Sequence, residues 1–332
     1  MFIIAEIAQA HEGSLGILHS YIDALATTGV DAVKFQTHIA EAESSIYEPF
    51  RVKFSYEDET RYEYWKRMEF SLSQWRDIKA HCDEVGLEFI SSAFSNAAVD
   101  LLEEIGVQRY KVGSGEVNNL LLLEKIALTN KPVILSSGMS SFEELDRSVE
   151  FLLSRGIDVS VLQCTTAYPT FPSEWGLNVI SVLRDRYGVD IGFSDHSGDI
   201  YASLAATALG AKILEFHVVF DKRMFGPDTE SSLSIDEVAK VVEGVHSIAT
   251  SLDYPVDKQD NSKFDEFKYI FEKSLAVNKN LSVGHKLTLD DLESKKPKGY
   301  GIDASCYQDI IGKKLTRDMI QWDFINEEDV DG

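Results

Sequence analysis

The sequence predicts an α/β fold in which a (β/α)8 barrel is followed by a small second domain. Three observations predict it. Short apolar runs alternate with longer segments of helical period, the pattern of repeated βα units around a parallel sheet. Eight such units fit into roughly 250 residues, the number and length of a TIM barrel. A polar, turn-rich stretch then separates them from a tail too short for a second barrel.

The candidate strands are residues 2–7, 32–36, 88–92, 109–113, 133–136, 160–163, 191–194 and 212–216. Between them lie amphipathic segments at 75–85, 140–154, 177–186, 201–209 and 235–248. In 140–154, Ser141 followed by Glu144 makes a capping box, and Leu145, Val149 and Leu152 share one face. A doubly wound open sheet is the alternative, but it would carry a glycine-rich loop after its first strand, where this chain has Ala8-Gln9-Ala10-His11. The connection from about Thr37 to Ser71 is long and aromatic, including Tyr47, Phe50, Phe54, Tyr64 and Trp65. At that place it predicts a lid or a dimer contact, or else an ordinary packed insertion. The domain boundaries read as a barrel over 1–251, a linker over 252–268 and a compact domain of short strands and helical turns over 269–332.

A chain of 332 residues is long enough for one large core and one small one. Its net charge of −23 repels polyphosphates and anionic lipid, so nucleic acid and membrane are excluded as expected partners. Cys82, Cys164 and Cys306 are few and unevenly spaced, which predicts reduced thiols and a cytoplasmic protein. The start Met-Phe-Ile-Ile-Ala-Glu lacks the basic region of a signal peptide.

In such a barrel the reacting groups sit at the C-terminal strand ends. Those ends supply Glu6; Lys34 and Gln36; Ser91 and Ser92; Lys111, Ser114 and Glu116; Ser136 and Ser137; Thr165 and Thr166; Ser194, Asp195 and His196; Glu215 and His217. Two lysines, several serines and the turns Gly113-Ser114-Gly115 and Ser137-Gly138 can surround a phosphate, although serine and glycine are also ordinary turn residues. A lysine inside an apolar strand is costly unless an anion meets it. His196 and His217 end the seventh and eighth strands, which lie about 4.8 Å apart, so they could share one divalent ion or could be two structural histidines. Glu6, Glu116 and Asp228 are the carboxylates best placed to bind sugar hydroxyls or move protons.

With these positions marked, the chain resembles the sialic-acid synthase family almost end to end. The resemblance rests on Ala5-Glu-Ile, His11-Glu-Gly, Val33-Lys-Phe-Gln-Thr, Phe89-Ile-Ser-Ser-Ala-Phe-Ser and Tyr110-Lys-Val-Gly-Ser-Gly-Glu-Val-Asn-Asn. It continues through Ile134-Leu-Ser-Ser-Gly-Met, Gln163-Cys-Thr-Thr-Ala-Tyr-Pro-Thr, Gly192-Phe-Ser-Asp-His-Ser, Ile213-Leu-Glu-Phe-His and Gly226-Pro-Asp. In the tail, Ser274-Leu-Ala-Val, Gly284-His-Lys-Leu-Thr, Lys295-Lys-Pro-Lys-Gly-Tyr-Gly and Ile311-Gly-Lys-Lys resemble that family's antifreeze-protein-like (SAF) domain.

The resemblance implies condensation of phosphoenolpyruvate with an amino-sugar aldehyde, phosphate leaving by C–O cleavage, in a domain-swapped homodimer. It implies that Lys34, Ser92, Lys111, Ser114, Ser136 and Ser194 hold phosphoenolpyruvate and that His196 and His217 bind Mn2+ or Mg2+. Glu6, Tyr168 and Asp228 would contact the sugar, and Glu116 would sit beside the enol carbon. The chain departs from the family at Ala10, at Thr166, which is associated with the legionaminic-acid and pseudaminic-acid branches, and at Lys296, where the family has a partner-domain arginine. A Schiff-base aldolase using Lys111 or Lys34, and a non-catalytic sugar or phosphate sensor, are the competing functional readings.

Overall fold

The computed structural model describes residues 1–52 and 54–331. The chain divides into two compact units, Met1–Tyr254 and Pro255–Gly332. The first unit begins β1 (Phe2–Glu6), α1 (Leu15–Ala26), β2 (Ala32–Thr37), α2 (Ala40–Glu43), α3 (Arg61–Met68), α4 (Leu72–Val85), β3 (Glu88–Ala93) and α5 (Asn96–Ile105). It continues with β4 (Tyr110–Val112), α6 (Leu120–Ala127), β5 (Val133–Ser136), α7 (Phe142–Leu153), β6 (Val159–Cys164) and α8 (Leu177–Tyr187). Then come β7 (Ile191–Asp195), α9 (Tyr201–Ala208), β8 (Ile213–Val219), β9 (Leu233–Ser234) and α10 (Ile235–Asp253). Strands β1 to β8 pair in parallel in chain order and β1 closes onto β8, giving a closed barrel, with β9 a short addition beside β8.

The eight predicted strands are all present, with shifted ends. Strand β8 runs on to Val219, past the predicted end at residue 216, so His217 lies inside it. Strand β4 shrinks to three residues because the chain turns into a 3-10 helix at Ser114–Glu116. Helix α7 starts at the predicted capping box, Ser141 accepting from the Glu144 N–H and the Glu144 carboxylate accepting from the Ser141 N–H. Helix α10 outruns the predicted end at residue 248 and stops two residues before Pro255, where a proline disfavours helical backbone in the residue preceding it.

The alternation of side chains along each strand builds two cores. Outward residues such as Ile3, Val33, Phe35, Phe89, Val112, Leu135 and Phe193 pack against the helices. Inward, Ile4, Ala32, Ile90, Ile134, Leu162 and Ile213 fill the barrel as one apolar layer. Two residues further along the same strands, the inward positions become Glu6, Lys34, Ser92, Ser136, Cys164 and Glu215. A period of two therefore places a polar layer directly above an apolar one.

Gly192 shows how tightly the lower layer closes. A Cβ there would lie 2.4 Å from both the Ile213 carbonyl oxygen and Leu162 Cδ2. Gly192→Ala should therefore cost about 1–3 kcal/mol through overpacking, read as a lower urea midpoint; a wild-type midpoint would contradict this packing.

The second unit contains α11 (Asp265–Phe271), β10 (Ser274–Val277) antiparallel to β11 (Leu292–Lys295), and β12 (Lys314–Leu315) antiparallel to β13 (Val330–Asp331). Its own small core includes Leu275, Val277, Leu287, Ile310, Leu315 and Ile325. Among the described residues no helix is long and apolar enough to cross a membrane.

Candidate active site

Strand register assembles the polar layer. Glu6 on β1 is level with Lys34 on β2 and with His217 on β8. Ser92 on β3 is level with Gln36 and Lys111, and Ser194 on β7 with Cys164 and Glu215. The Lys34 ammonium pairs with Glu6 Oε2 and lies 3.6 Å from Glu215 Oε1. Lys111 Nζ lies 3.2 Å from the same Glu215 oxygen and donates to Ser136 Oγ at 2.7 Å, and Ser194 Oγ donates to Glu215 at 3.2 Å.

All four charged side chains are buried. Isolated, each would cost several kcal/mol to bury; two cations against two anions remove most of that cost. Burial pushes the Glu6 carboxyl up, but the fields of Lys34 and Lys111 outweigh it and hold the group far below the usual carboxylate range. For Lys34, burial is outweighed in the same way by Glu215 and Glu6, so its ammonium stays charged. Glu215 Oε2 is buried without a hydrogen-bond partner, an orphan acceptor within the layer.

His196, one residue beyond β7, and His217 bring their ring centroids to 5.3 Å. His196 Nδ1 donates to the Thr165 carbonyl at 3.0 Å, which fixes the ring and leaves Nε2 for a ligand. His217 Nε2 lies 3.8 Å from Glu6 Oε2 and its Nδ1 4.0 Å from Asp228 Oδ2. Burial, with His196 and Lys34 nearby, lowers the His217 pKa despite Glu6 and Asp228, so this ring is neutral. Burial also opposes charge on His196, but Cys164, 3.9 Å from Nδ1, and the Thr165 carbonyl push it up to about 9.

Among the described residues no group of three or more His, Cys, Asp or Glu side chains is disposed to hold a metal by itself. The donors that fit a divalent ion are these two imidazoles, with the orphan Glu215 oxygen in the same layer. Such a two-nitrogen set would leave the remaining coordination positions to water and substrate oxygens.

These groups line one cavity of about 460 Å³, together with Gln36, Ser92, Ser114, Glu116, Thr166 and Asp228. Gly138 N–H donates to Ser114 Oγ at 3.0 Å, and a Cβ on Gly138 would sit 2.4 Å from Thr166 Oγ1 and 2.6 Å from Ser114 Oγ. Only a glycine leaves that recess open. Glu116 accepts from Asn119 Nδ2 at 2.7 Å, and burial raises its pKa, with Glu43 adding to the effect. Tyr168 lays its ring 4.4 Å from that of His196 and also lines the cavity.

Four strand-end residues leave the cradle by the same alternation that builds it. Ser91 turns outward to Thr37 Oγ1 and the Phe35 carbonyl, and Ser137 to the Leu162 carbonyl. Thr165 caps the Glu174 carbonyl, and Asp195 accepts from Ser203 Oγ and the Ser197 N–H. Each neighbours an inward residue and so points the other way. Lys296 belongs to the second unit, where its ammonium lies 4.9 Å from the Phe271 ring centre.

The long connection after β2 is a packed insertion that overhangs the cavity. Ala40, Tyr64, Trp65 and Met68 form its own small core with Phe50 and Phe54 against them. From it Arg51 reaches Asp228 Oδ1 at 2.8 Å and covers the Tyr168 ring at 4.1 Å. Sequence reasoning missed Arg51, Cys164, Gln9, His38 and Glu43, all of which line the cavity. Cys164 was accessible, being two residues beyond the inward Leu162; a single arginine in a loop carries no periodic signal.

The NeuB family model matches residues 21–257. The chain belongs to the NeuB family. It is 33% identical over 331 residues to the N,N'-diacetyllegionaminic acid synthase of Campylobacter jejuni subsp. jejuni serotype O:2, covering 98% of each chain. It is 34% identical to the human N-acetylneuraminate-9-phosphate synthase, covering 99% of this chain and 92% of that one. Among solved structures, the sialic acid synthetase of Leptospira borgpetersenii serovar Hardjo-bovis in complex with citrate superposes with a TM-score of 0.72 at 30% identity. That match covers 81% of this chain and 90% of the other. In this NeuB-family chain the polar layer and the histidine pair lie inside the matched span apart from Glu6, which β1 supplies.

Proposed function

We propose that the chain is a nonulosonic acid synthase, a transferase that joins phosphoenolpyruvate to an N-acylated amino-sugar aldehyde and releases inorganic phosphate. The product class is a sialic, legionaminic or pseudaminic acid. The observation that carries this reading is the juxtaposition of a buried lysine pair with two imidazoles whose ring centres lie 5.3 Å apart, one of them 3.8 Å from the Glu6 carboxylate that pairs with Lys34. One half suits an anionic enol ester and the other a polarised carbonyl.

Lys34, Lys111, Ser92, Ser114, Ser136 and Ser194 would take the phosphate and carboxylate, rearranging the lysines' present pairs with Glu6 and Glu215. Asp228, Tyr168, Thr166 and Glu6 would orient the acceptor, with Gln36 behind Glu6. A divalent cation, Mn2+ or Mg2+, held by His196 and His217 would supply Lewis-acid polarisation of the acceptor carbonyl. C3 of phosphoenolpyruvate attacks that aldehyde carbon, water adds to the resulting cationic C2, and the tetrahedral centre expels phosphate by C–O cleavage. Glu116, its pKa raised, would take the proton from the added water, and the alkoxide formed from the aldehyde would gain one in return. Alignment of the two reactants is the main contribution, worth roughly 7–11 kcal/mol when geometry is good.

An antifreeze-protein-like second domain, a domain-swapped homodimer in which Lys296 approaches the partner's acceptor, and a cytoplasmic location complete the proposal; the three free thiols support the last. A Schiff-base aldolase is less well supported, because Lys34 and Lys111 are both ion-paired and so poor nucleophiles. Phosphate release and product mass, measured with phosphoenolpyruvate, Mn2+ and a panel of N-acetylmannosamine-type and 6-deoxy-diacetamido sugars, test the reading. Release with at least one sugar, lost in EDTA and restored by Mn2+, is expected. Release with none would favour a sensor, and a borohydride-trapped lysine adduct would favour the aldolase.

A further inference from the structure

A row of buried and half-buried side chains runs away from Glu6 under the overhanging insertion, and beyond Gln36 the proposed chemistry does not use it. Gln36 Nε2 donates to Glu6 Oε1 at 2.7 Å, and Gln9 Nε2 donates to Gln36 Oε1 at 2.5 Å. Gln9 Nε2 is also 3.1 Å from His38 Nε2, and His38 Nδ1 is 2.6 Å from Glu43 Oε1. His38 is 4% exposed and is clamped between the Trp65 ring at 4.0 Å and the Phe94 ring at 4.8 Å, nearly parallel to both.

The donor and acceptor roles in this row follow from its two carboxylate ends. Glu6 can only accept, so Gln36 must present its NH2 to it and its carbonyl to Gln9. Gln9 must then present its NH2 to Gln36, which points the second amide proton at His38 Nε2. His38 Nε2 also lies 3.3 Å from Gln36 Oε1, and its Nδ1 faces a Glu43 carboxylate oxygen that can only accept, so Nδ1 carries a proton and donates to Glu43. Every member of the row has at least one partner in it, as buried polar networks require. The row leaves Glu6 Oε1 tied and Glu6 Oε2 turned toward Lys34 and His217.

We propose that His38, held by Glu43 through its Nδ1–H, is a positioning residue that acts through Gln9 and Gln36 to fix the orientation of the Glu6 carboxylate. The inference rests on the synthase reading only in giving Glu6 a place beside the reacting groups. Breaking the row would let the Gln36 amide turn and Glu6 swing, and a misplacement of about 1 Å in such a site costs up to roughly a hundredfold in rate.

Two variants of His38 separate positioning from simple packing. His38→Phe keeps the aromatic clamp and removes both hydrogen bonds; His38→Gln keeps a donor and an acceptor but loses the clamp. Positioning predicts that His38→Phe lowers kcat about 10- to 100-fold with the KM of phosphoenolpyruvate within about twofold, while His38→Gln stays within about fivefold of the parent. The opposite order, an active His38→Phe and an inactive His38→Gln, would overturn the proposal. If His38→Phe does not fold, Gln9→Met cuts the same row elsewhere and should reproduce the fall in kcat; normal kcat in that variant overturns it as well. The imidazole 15N spectrum of the full chain gives a readout independent of turnover. A His38 ring that carries a proton on Nδ1 supports the row, and a ring whose Nδ1 is bare overturns it. A chain that releases no phosphate with any sugar would sink the synthase reading, while the spectrum would still decide for or against the row.

Discussion

His217→Ala is expected to abolish turnover, lowering kcat about a thousandfold or more, a loss of roughly 4 kcal/mol in transition-state stabilisation. His217 is level with Glu6 in the strand register and buried beside His196, so its removal takes away one of the two imidazoles proposed to hold a cation. Electron paramagnetic resonance of added Mn2+ should show binding weakened in step, with the far-ultraviolet circular dichroism unchanged. Full activity in the variant would remove His217 from the metal and from the reaction.

The same pair gives the sign of a pH effect. His196 has its pKa raised to about 9 and His217 has its pKa lowered, so at neutral pH a cation must displace one proton, from His196. Mn2+ affinity should accordingly rise with pH between 6 and 9, by up to about tenfold per unit. Affinity independent of pH over that range would mean that His196 is not a ligand.

The second large effect is expected for Lys34→Met. Lys34 is the shared counter-ion of Glu6 and Glu215, all three buried, and its loss leaves Glu6 without the cation that outweighs burial. Breaking a buried pair on one side costs about 3–5 kcal/mol, which for a domain of this size lowers Tm by roughly 10 °C. Phosphoenolpyruvate turnover should fall with it. Adding Glu6→Gln removes the stranded charge, so the double variant should regain much of the lost stability without regaining activity. Scanning calorimetry that finds the single variant as stable as the parent would mean that Glu6 can reach solvent or another cation.

Much of this architecture was legible in the chain because it is locally encoded. The Ser141–Glu144 capping box set the start of α7 from four consecutive residues. Each barrel strand was visible as a short apolar run, and the sites at their ends followed from where the runs stopped. Strand ends were less certain: β8 continues to Val219 because its neighbours β1 and β9 pair with it there, which no local pattern announces.

Side-chain direction and partnership were not legible. Ser91 and Ser92 look equivalent in sequence, yet one binds the Phe35 carbonyl and the other faces the cavity. The sequence demanded an anion for Lys34 and Lys111, but Glu6 meets Lys34 through the β1–β2 register, and Glu215 reaches both lysines only because the barrel closes β8 onto β1. Arg51 over Tyr168 and His38 behind Gln36 depend in turn on how a long insertion folds back.

Taken by itself, the amino-acid order determined the succession of βα units, the polar character of the strand tips and the kind of chemistry they suit, since these rest on contacts within a few residues. Which oxygen meets which ammonium, and which hydroxyl turns inward, was decided only by the closed barrel. Those pairings join residues as far apart as Glu6 and His217, and a period of two reverses a side chain's face with each single step along a strand.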